Sequence, residues 1–334
     1  MGIISCVTPN TINLTNTHIL SYKRSCFPSL SYLQYPFQKP KNLTKIKSTL
    51  SSMATTNVEE PNPSSSNSVG ENDLLIVGPG VLGRLVAEKW REEHPGCEIY
   101  GQTVSRDHHD ELIKMGIKPS VKGTQFAHHF PFVIFCAPPS RSPDYAVDVR
   151  LAALNWNGEG SFLFTSSSAP YDCNDNGLCD EDTAVVPIGR SPRTDVLLKA
   201  EKLVLEFGGC VVRLAGLYKA DRGAHIYWLE KGTVETRPDH ILNLIHYEDA
   251  ASLSVAILKR KLRGRIFLGC DNHPLSRQEV MDLVDKSGKF SKKFDSFTGT
   301  NDSLGKRLNN SKTRKELAWE PKYPSFARFL GISE

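Results

Sequence analysis

The 334-residue sequence contains no apolar run near the roughly 20 residues that a membrane helix needs, so no membrane span is expected. It also lacks the compositional extremes of disordered or coiled-coil chains: 39% of residues are hydrophobic and 23% charged, the ordinary globular balance. Acidic residues are missing altogether before Glu59, whereas six basic residues (Lys23, Arg24, Lys39, Lys41, Lys45 and Lys47) fall there. Taking those six from the 41 basic residues leaves 35 against 37 acidic ones, so the remaining body is near neutral and gives no electrostatic case for nucleic acid. A zinc-type ligand pattern is missing too. Cys173 and Cys179 flank NDNGL at a spacing that suits a disulfide, half a metal site or two unlinked loop thiols, but no second Cys/His pair accompanies them. His108-His109 and His128-His129 are adjacent pairs whose side chains diverge on regular elements, and no metal is expected.

What is present at the start is Ser, Thr and Asn. Residues 1–52 are rich in them and carry no carboxylate, the composition of an organelle transit peptide. Ser/Thr outweighs Arg, which favours the chloroplast stroma over the mitochondrion, and no continuous apolar core marks a secretory signal. The plain alternative is an unstructured tail. Residues 53–72 read as a Pro/Ser/Asn linker.

From residue 73 the patterning changes. LLIVG (74–78) is a buried strand, GPGVLG (78–83) follows at once, and VLGRLVAEKWREEH has helical period until Pro95-Gly96 stops it. CEIYGQT (97–103) is the next strand. In this strand–turn–helix–strand unit each glycine has a separate task. Gly78 permits the tight turn, Gly80 lets backbone approach a pyrophosphate, and Gly83 lets the helix pack close to the strand. The first helical residues, Val81, Leu82 and Gly83, present free N–H groups and a partial positive charge to phosphate. The expectation is a Rossmann dinucleotide site. About 20 residues past the glycines, where an NAD-preferring site places Asp or Glu, stand Thr103, Val104, Ser105 and Arg106. Hydroxyls at Thr103 and Ser105 and the Arg106 guanidinium suit a 2′-phosphate, so NADP(H) is expected, with NAD(H) the alternative if Asp107 serves the ribose instead.

Further strands are expected at FPFVIFCAPPS (130–140), SFLFTSSS (161–168) and CVVRLAG (210–216), with a helix over 194–208 ending at Gly208-Gly209. Ala137-Pro138 lies where the chain would pass over the cofactor at the carboxyl ends of the strands. The alternation argues for an α/β fold, a doubly wound parallel sheet over 73–216, with a smaller C-terminal substrate lobe over 217–334. Cys97, Cys136 and Cys210 read as small core residues. Tyr227 and Trp228 suit either a pocket or the core, and the basic stretches 286–293 and 306–315 read as solvated surface.

Over about residues 73–330 the chain resembles the extended short-chain dehydrogenase/reductases, the NAD(P)-dependent epimerase/dehydratase group, in its atypical branch. The pieces fall in family order: the glycine turn, TSSSAPY (165–171), LLKAEKLV (197–204), VVRLAGLY (211–218), Arg222-Gly223, LIHYEDAA (244–251), RIFLGCD (265–271) and NNSKTRKELAWEPKYPSF (309–326). The resemblance implies that 241–271 returns to the Rossmann core, with His246 beside the substrate pocket. It also exposes what this chain lacks. The glycine turn is GPGVLG rather than GxxGxxG. The family's catalytic Tyr-x-x-x-Lys, registered on Glu201, falls on Arg193 and Leu197. Lys199 and Lys202 have Asp195 and Leu198 four residues earlier, so no shift restores the dyad.

Of the family's catalytic set only Ser167 persists, as a donor to a carbonyl oxygen or as a strand-end residue bonding backbone. Tyr171 is a substitute acid or merely structural, and Arg190, Arg193 and Lys199 bind an anionic group or lie on a solvated helix face. Three functions remain open: an NADP(H)-dependent oxidoreductase acting on a small carbonyl or alcohol, a nucleotide-sugar epimerase or dehydratase, and a non-catalytic NADP(H)-dependent scaffold or redox regulator. The expected partner is a small-molecule substrate, and the expected assembly a monomer or homodimer.

Overall fold

The computed structural model describes residues 69–333, so the transit-peptide reading of residues 1–52 and most of the linker lie outside the described residues. In chain order the elements are β1 (Leu74–Val77), α1 (Val81–Glu93), β2 (Ile99–Thr103), α2 (His109–Lys114), β3 (Ile117–Val121), β4 (Phe130–Phe135), α3 (Tyr145–Leu154), β5 (Trp156–Ser167), β6 (Asp175–Cys179), α4 (Pro192–Glu206) and β7 (Cys210–Leu214). There follow β8 (Gly216–Tyr218), α5 (Ala224–Lys231), β9 (Thr233–Val234), β10 (Ile241–Leu242), β11 (Leu244–His246), α6 (Tyr247–Lys259) and β12 (Ile266–Gly269). The last are β13 (Leu275–Ser276), α7 (Arg277–Ser287), β14 (Ser296–Phe297), β15 (Gly305–Leu308), α8 (Ser311–Leu317) and α9 (Phe326–Phe329).

Seven strands form one parallel sheet in the order β12-β7-β5-β4-β1-β2-β3. The order reverses between β1 and β4, which opens a crevice at the carboxyl ends of those strands. Both faces of the sheet are covered, which is why β1 and β4 read as unbroken apolar runs rather than alternating ones. Leu74, Ile76, Phe132 and Ile134 pack with Val86 and Trp90 of α1 on one face. Leu75, Val133 and Phe135 pack with Tyr145 and Val149 of α3 and with Leu197, Ala200 and Val204 of α4 on the other. Trp90 is fully buried and its indole N–H donates to the Asn72 carbonyl at 2.9 Å, which closes the start of β1 over α1.

β3 escaped the sequence reading. IKPSV carries Pro119 and a lysine, yet it pairs along its whole length with β2. Its place at the sheet edge explains this, because an edge strand tolerates proline on its unpaired side. The strands expected over 97–103 and 161–168 are found at 99–103 and within 156–167.

The later part of the chain contributes to two regions. β12 joins the main sheet beside β7, and α6 packs on α1. The remainder builds a four-stranded sheet, β13-β10-β15-β6, the pairs β11-β8 and β14-β9, and an aromatic-rich core around Tyr218, Trp228, Met281 and Phe326. Trp228 is core whereas Tyr227 is 51% exposed, so the two neighbours divide the alternatives between them. Cys210 is buried as expected, while Cys97 and Cys136 are only half-buried at the edges of the core. Among the described residues no helix is long and apolar enough to cross a membrane.

Candidate functional site

The bend between β1 and α1 sits at the crevice. Gly78 has φ +83°, and a Cβ there would lie 2.6 Å from the Ala137 backbone, so only glycine lets β1 and the chain leaving β4 close on one another. At Gly83 a Cβ would come within 2.9 Å of Ile76 Cγ2, which is the close approach of helix to strand. Around Gly80 there is instead open space, with nothing within 4 Å of a Cβ position. Gly80 is the N-cap of α1, no side chain caps the helix, and no acidic residue occupies its first turn. The first-turn N–H groups of Val81, Leu82 and Gly83 therefore face this space without a carbonyl one turn below them. Such an arrangement can hold a diphosphate by hydrogen bonds and by the helix dipole together.

Beside the bend lies a cavity of about 390 Å³, within the size range of small-molecule sites. Gly78 and Ala137 form one wall, Gln102, Thr103 and Val104 a second, the 122–126 loop a third, and Leu151 and Leu154 of α3 a fourth. Lys122 and Asp148 pair across it at 2.5 Å. Ala137 is fixed from behind, since its carbonyl accepts the Tyr145 hydroxyl at 2.8 Å, and Pro138 starts the short turn Pro139–Arg141.

The groups expected at a 2′-phosphate have different fates. The Thr103 hydroxyl lies 2.7 Å from the Ser105 carbonyl and 2.7 Å from His109 Nε2, and the Ser105 hydroxyl donates to Asp107 at 2.7 Å. Both hydroxyls thus already have protein partners. Arg106 is exposed, and its guanidinium makes no ion pair or side-chain hydrogen bond among the described residues. A second guanidinium that sequence reasoning missed stands close by. Arg84, next after Gly83, donates to the Pro79 carbonyl at 3.3 Å and pairs with Glu111 at 2.8 Å. Its position in the first turn of α1 was the available signal.

On the far side of the crevice, Ser167 ends β5 half-buried and its hydroxyl oxygen accepts the Ala169 N–H at 3.2 Å. Its own proton remains free to be donated. Tyr171, read as a substitute acid or as merely structural, is 1% exposed and enclosed in the core, with the Arg213 guanidinium 4.7 Å from its ring centre. Burial pushes its phenol up to about 12 against the opposing charge of Arg213. Its ring thus packs against the Arg213 guanidinium, out of contact with solvent. Leu197 is likewise a core residue of α4, and Arg190, Arg193 and Lys199 are exposed on the solvent side. His246, which the resemblance placed beside the substrate pocket, is 5% exposed. It is buried among Tyr218, Tyr323 and Phe329, accepts the Glu248 N–H as the cap of α6, and burial lowers it to about 4.

The position expected to anchor the dyad register, Glu201, turns out to be structural. It forms a buried pair with Arg213 at 2.7 Å, and the Ser166 hydroxyl adds a 2.5 Å bond to the same carboxylate. Sequence gave no sign of this pairing, whose members are 12 and 35 residues apart. Among the described residues no group of three or more His, Cys, Asp or Glu side chains is placed to hold a metal.

No protein-family model matches the sequence, nor does any curated protein. Solved structures do match. A functionally unknown conserved protein from Silicibacter pomeroyi DSS is 22% identical, with a TM-score of 0.64 over 78% of this chain and 96% of that one. UDP-glucuronic acid 4-epimerase from Bacillus cereus, in complex with NAD, is 14% identical with a TM-score of 0.63, covering 77% and 94%. dTDP-glucose 4,6-dehydratase from Bacillus anthracis str. Ames, also in complex with NAD, is 16% identical with a TM-score of 0.63 over the same shares. The fold is thus the Rossmann-type α/β fold that these structures share. At these identities the likeness concerns the fold, and the chemistry must be argued from the side chains present here.

Proposed function

We propose that the chain binds NADP(H) along the carboxyl edge of its sheet and acts as an oxidoreductase on a small carbonyl or alcohol. The observation that carries this reading is the open space over Gly80, at an uncapped helix N-terminus beside a 390 Å³ cavity. Gly78, Gly80 and the amides of Val81, Leu82 and Gly83 would hold the diphosphate. The cavity beside Ala137 and Pro138 would take the adenosine half, and Arg106 would meet the 2′-phosphate. The bound nucleotide would supply or accept hydride. Ser167 would donate its free proton in a hydrogen bond to the substrate oxygen, polarising the carbonyl, and the transferred proton would come from water or the substrate itself.

The test is a screen of carbonyl substrates for NADPH oxidation. Turnover with at least one of them, reduced about 10²–10³-fold in S167A while nucleotide affinity stays unchanged, is the expected outcome. An S167A variant as active as the wild type removes the assignment.

A second reading, a non-catalytic NADP(H)-dependent scaffold or redox regulator, is favoured by a specific observation. Leu197 lies in the core, Arg193 faces solvent and Tyr171 is enclosed, so none of these three residues is placed to act as the Tyr-x-x-x-Lys dyad would. Tight NADPH binding with no turnover in the screen selects this alternative. The nucleotide-sugar chemistry of the structural neighbours ranks below both, because it would need that same Tyr. We also propose a plastid location from the carboxylate-free residues 1–52, to be checked by fusing residues 1–72 to a fluorescent protein and following import.

A further inference from the structure

We propose that Cys173 and Cys179 are a redox modification site, closing into a reversible disulfide on the small sheet behind the Ser167 turn. Strand geometry brings the two sulfurs to one face. β6 pairs in parallel with β15, Gly177 opposite Lys306 and Cys179 opposite Leu308. Residues 177 and 179 share a face, since side chains alternate along a strand. Burial agrees: Cys179 is 2% exposed, whereas Leu178 between them is 82% exposed. The Cys173 side chain folds back onto that same face, because a Cβ at Gly177 would lie 2.8 Å from its sulfur. The absent side chain at Gly177 is what lets the thiol lie against the strand. Positions 177 and 179 are about 7 Å apart along it. The Cys173 sulfur thus lies about one two-residue strand repeat from Cys179, and closing the link draws the 173–176 turn along β6. The intervening residues already bend at Asn176, φ +67°.

Lys306 supplies the charge. It projects from β15 on the face shared with Gly177, and its ammonium donates to the Tyr171 carbonyl at 2.6 Å and the Ser168 carbonyl at 3.3 Å. It makes no ion pair among the described residues, and both thiols lie within its electrostatic reach and each other's. Burial raises the Cys179 thiol, while the Thr183 hydroxyl and the Lys306 charge oppose that rise. The Asp175 carboxylate lies 3.9 Å from the Cys173 sulfur. A cation beside two thiols favours the thiolate that exchange chemistry needs.

The steps balance with an external disulfide as the oxidant. The half-exposed Cys173, as thiolate, attacks one sulfur of the reagent; the reagent S–S bond breaks, one thiolate leaves, and a mixed disulfide forms. Cys179, its proton passed to solvent, attacks the Cys173 sulfur and expels the second reagent thiolate. Two protein thiols are oxidised, one reagent disulfide is reduced, and the two protons end on the leaving thiols. The link ties the turn that follows Ser167 to β6.

The test treats the full chain with oxidised glutathione across a series of glutathione ratios, alkylates the remaining thiols and maps the peptides. The expected product is a Cys173–Cys179 cross-link, lighter by two hydrogens and reversed by dithiothreitol. C179A should instead trap glutathione on Cys173, and C173S, which alters only a half-exposed position, should leave Cys179 reduced. K306M should shift the pH dependence of cross-linking upward without changing which cysteines pair. Wild-type protein with both cysteines alkylated, with glutathione retained on Cys173 beside an alkylated Cys179, or with Cys173 joined to another cysteine overturns the proposal. A K306M profile that superimposes on the wild type overturns the role given to Lys306.

Discussion

Gly78 and Gly80 sit two residues apart in one bend and answer to different constraints. G78A would place a methyl group 2.6 Å from backbone at a positive φ, so a loss of more than about 2 kcal/mol of stability is expected in denaturant unfolding. At Gly80 a Cβ meets nothing in the protein, so in G80V unfolding should be nearly unchanged while NADPH binding is lost. Equal destabilisation by both would mean that the space over Gly80 has no ligand role. Arg106 permits a second contrast at this scale. R106A should weaken NADPH by about 1–3 kcal/mol, a lost charged hydrogen bond, and hardly affect NADH. An equal loss for both nucleotides in a binding titration would assign the 2′-phosphate to another group. The tasks of Gly78 and Gly83 were legible in the sequence because each follows from a local backbone requirement. The engagement of Thr103 by His109 was not, since it depends on where α2 returns to β2.

Helix α4 shows where element-level reading succeeds and stops. Its period and its stop near Gly208 are written in the sequence, and so is the absence of a Tyr-x-x-x-Lys pair, whereas its start at Pro192 after the Ser191 cap lies two residues before the expected one. What the helix does with Glu201 is not, because the partners Arg213 and Ser166 come from two separate strands. A buried pair that loses one member leaves a stranded charge, so E201Q or R213M should cost about 3–5 kcal/mol. Replacing both with well-packed apolar residues should recover most of that loss, and a double variant as unstable as the sum of the singles would contradict this account. β3 teaches the complementary lesson: Pro119 speaks against a strand unless the strand's place at the sheet edge is already known.

At the scale of the whole molecule, the alternating pattern was enough for a doubly wound sheet, since each strand–helix unit declares itself locally. The four-stranded sheet and the cavity walls were not legible, because two- to five-residue strands and loops from distant segments assemble them. The same distant packing sets the pH dependence. His225 and His246 are lowered to about 4 by burial, so below their unfolded value the unfolded chain binds more protons and stability falls as pH drops from about 6.5 to 4. Asp271 works in the opposite sense. Burial raises it to about 8, its Oδ2 has no hydrogen-bond partner, and between about pH 4 and 8 the folded protein holds the extra proton. Each such proton is worth about 1.4 kcal/mol per pH unit, so two histidines outweigh Asp271 on the acid side and Asp271 alone acts above pH 6.5. Stability should peak near pH 6.5, and D271N should flatten the decline toward pH 8 while steepening the acid limb, where Asp271 no longer opposes the two histidines. An alkaline limb unchanged in D271N would show that Asp271 does not hold the proton.

The nucleotide assignment is tested most directly by calorimetric titration of the full chain with NADPH and with NADH. Saturable one-to-one heat, tighter for NADPH and abolished in a folded G80V variant, is the outcome this account predicts. Flat titrations with both nucleotides would contradict it and leave the crevice at the switch between β1 and β4 without a dinucleotide.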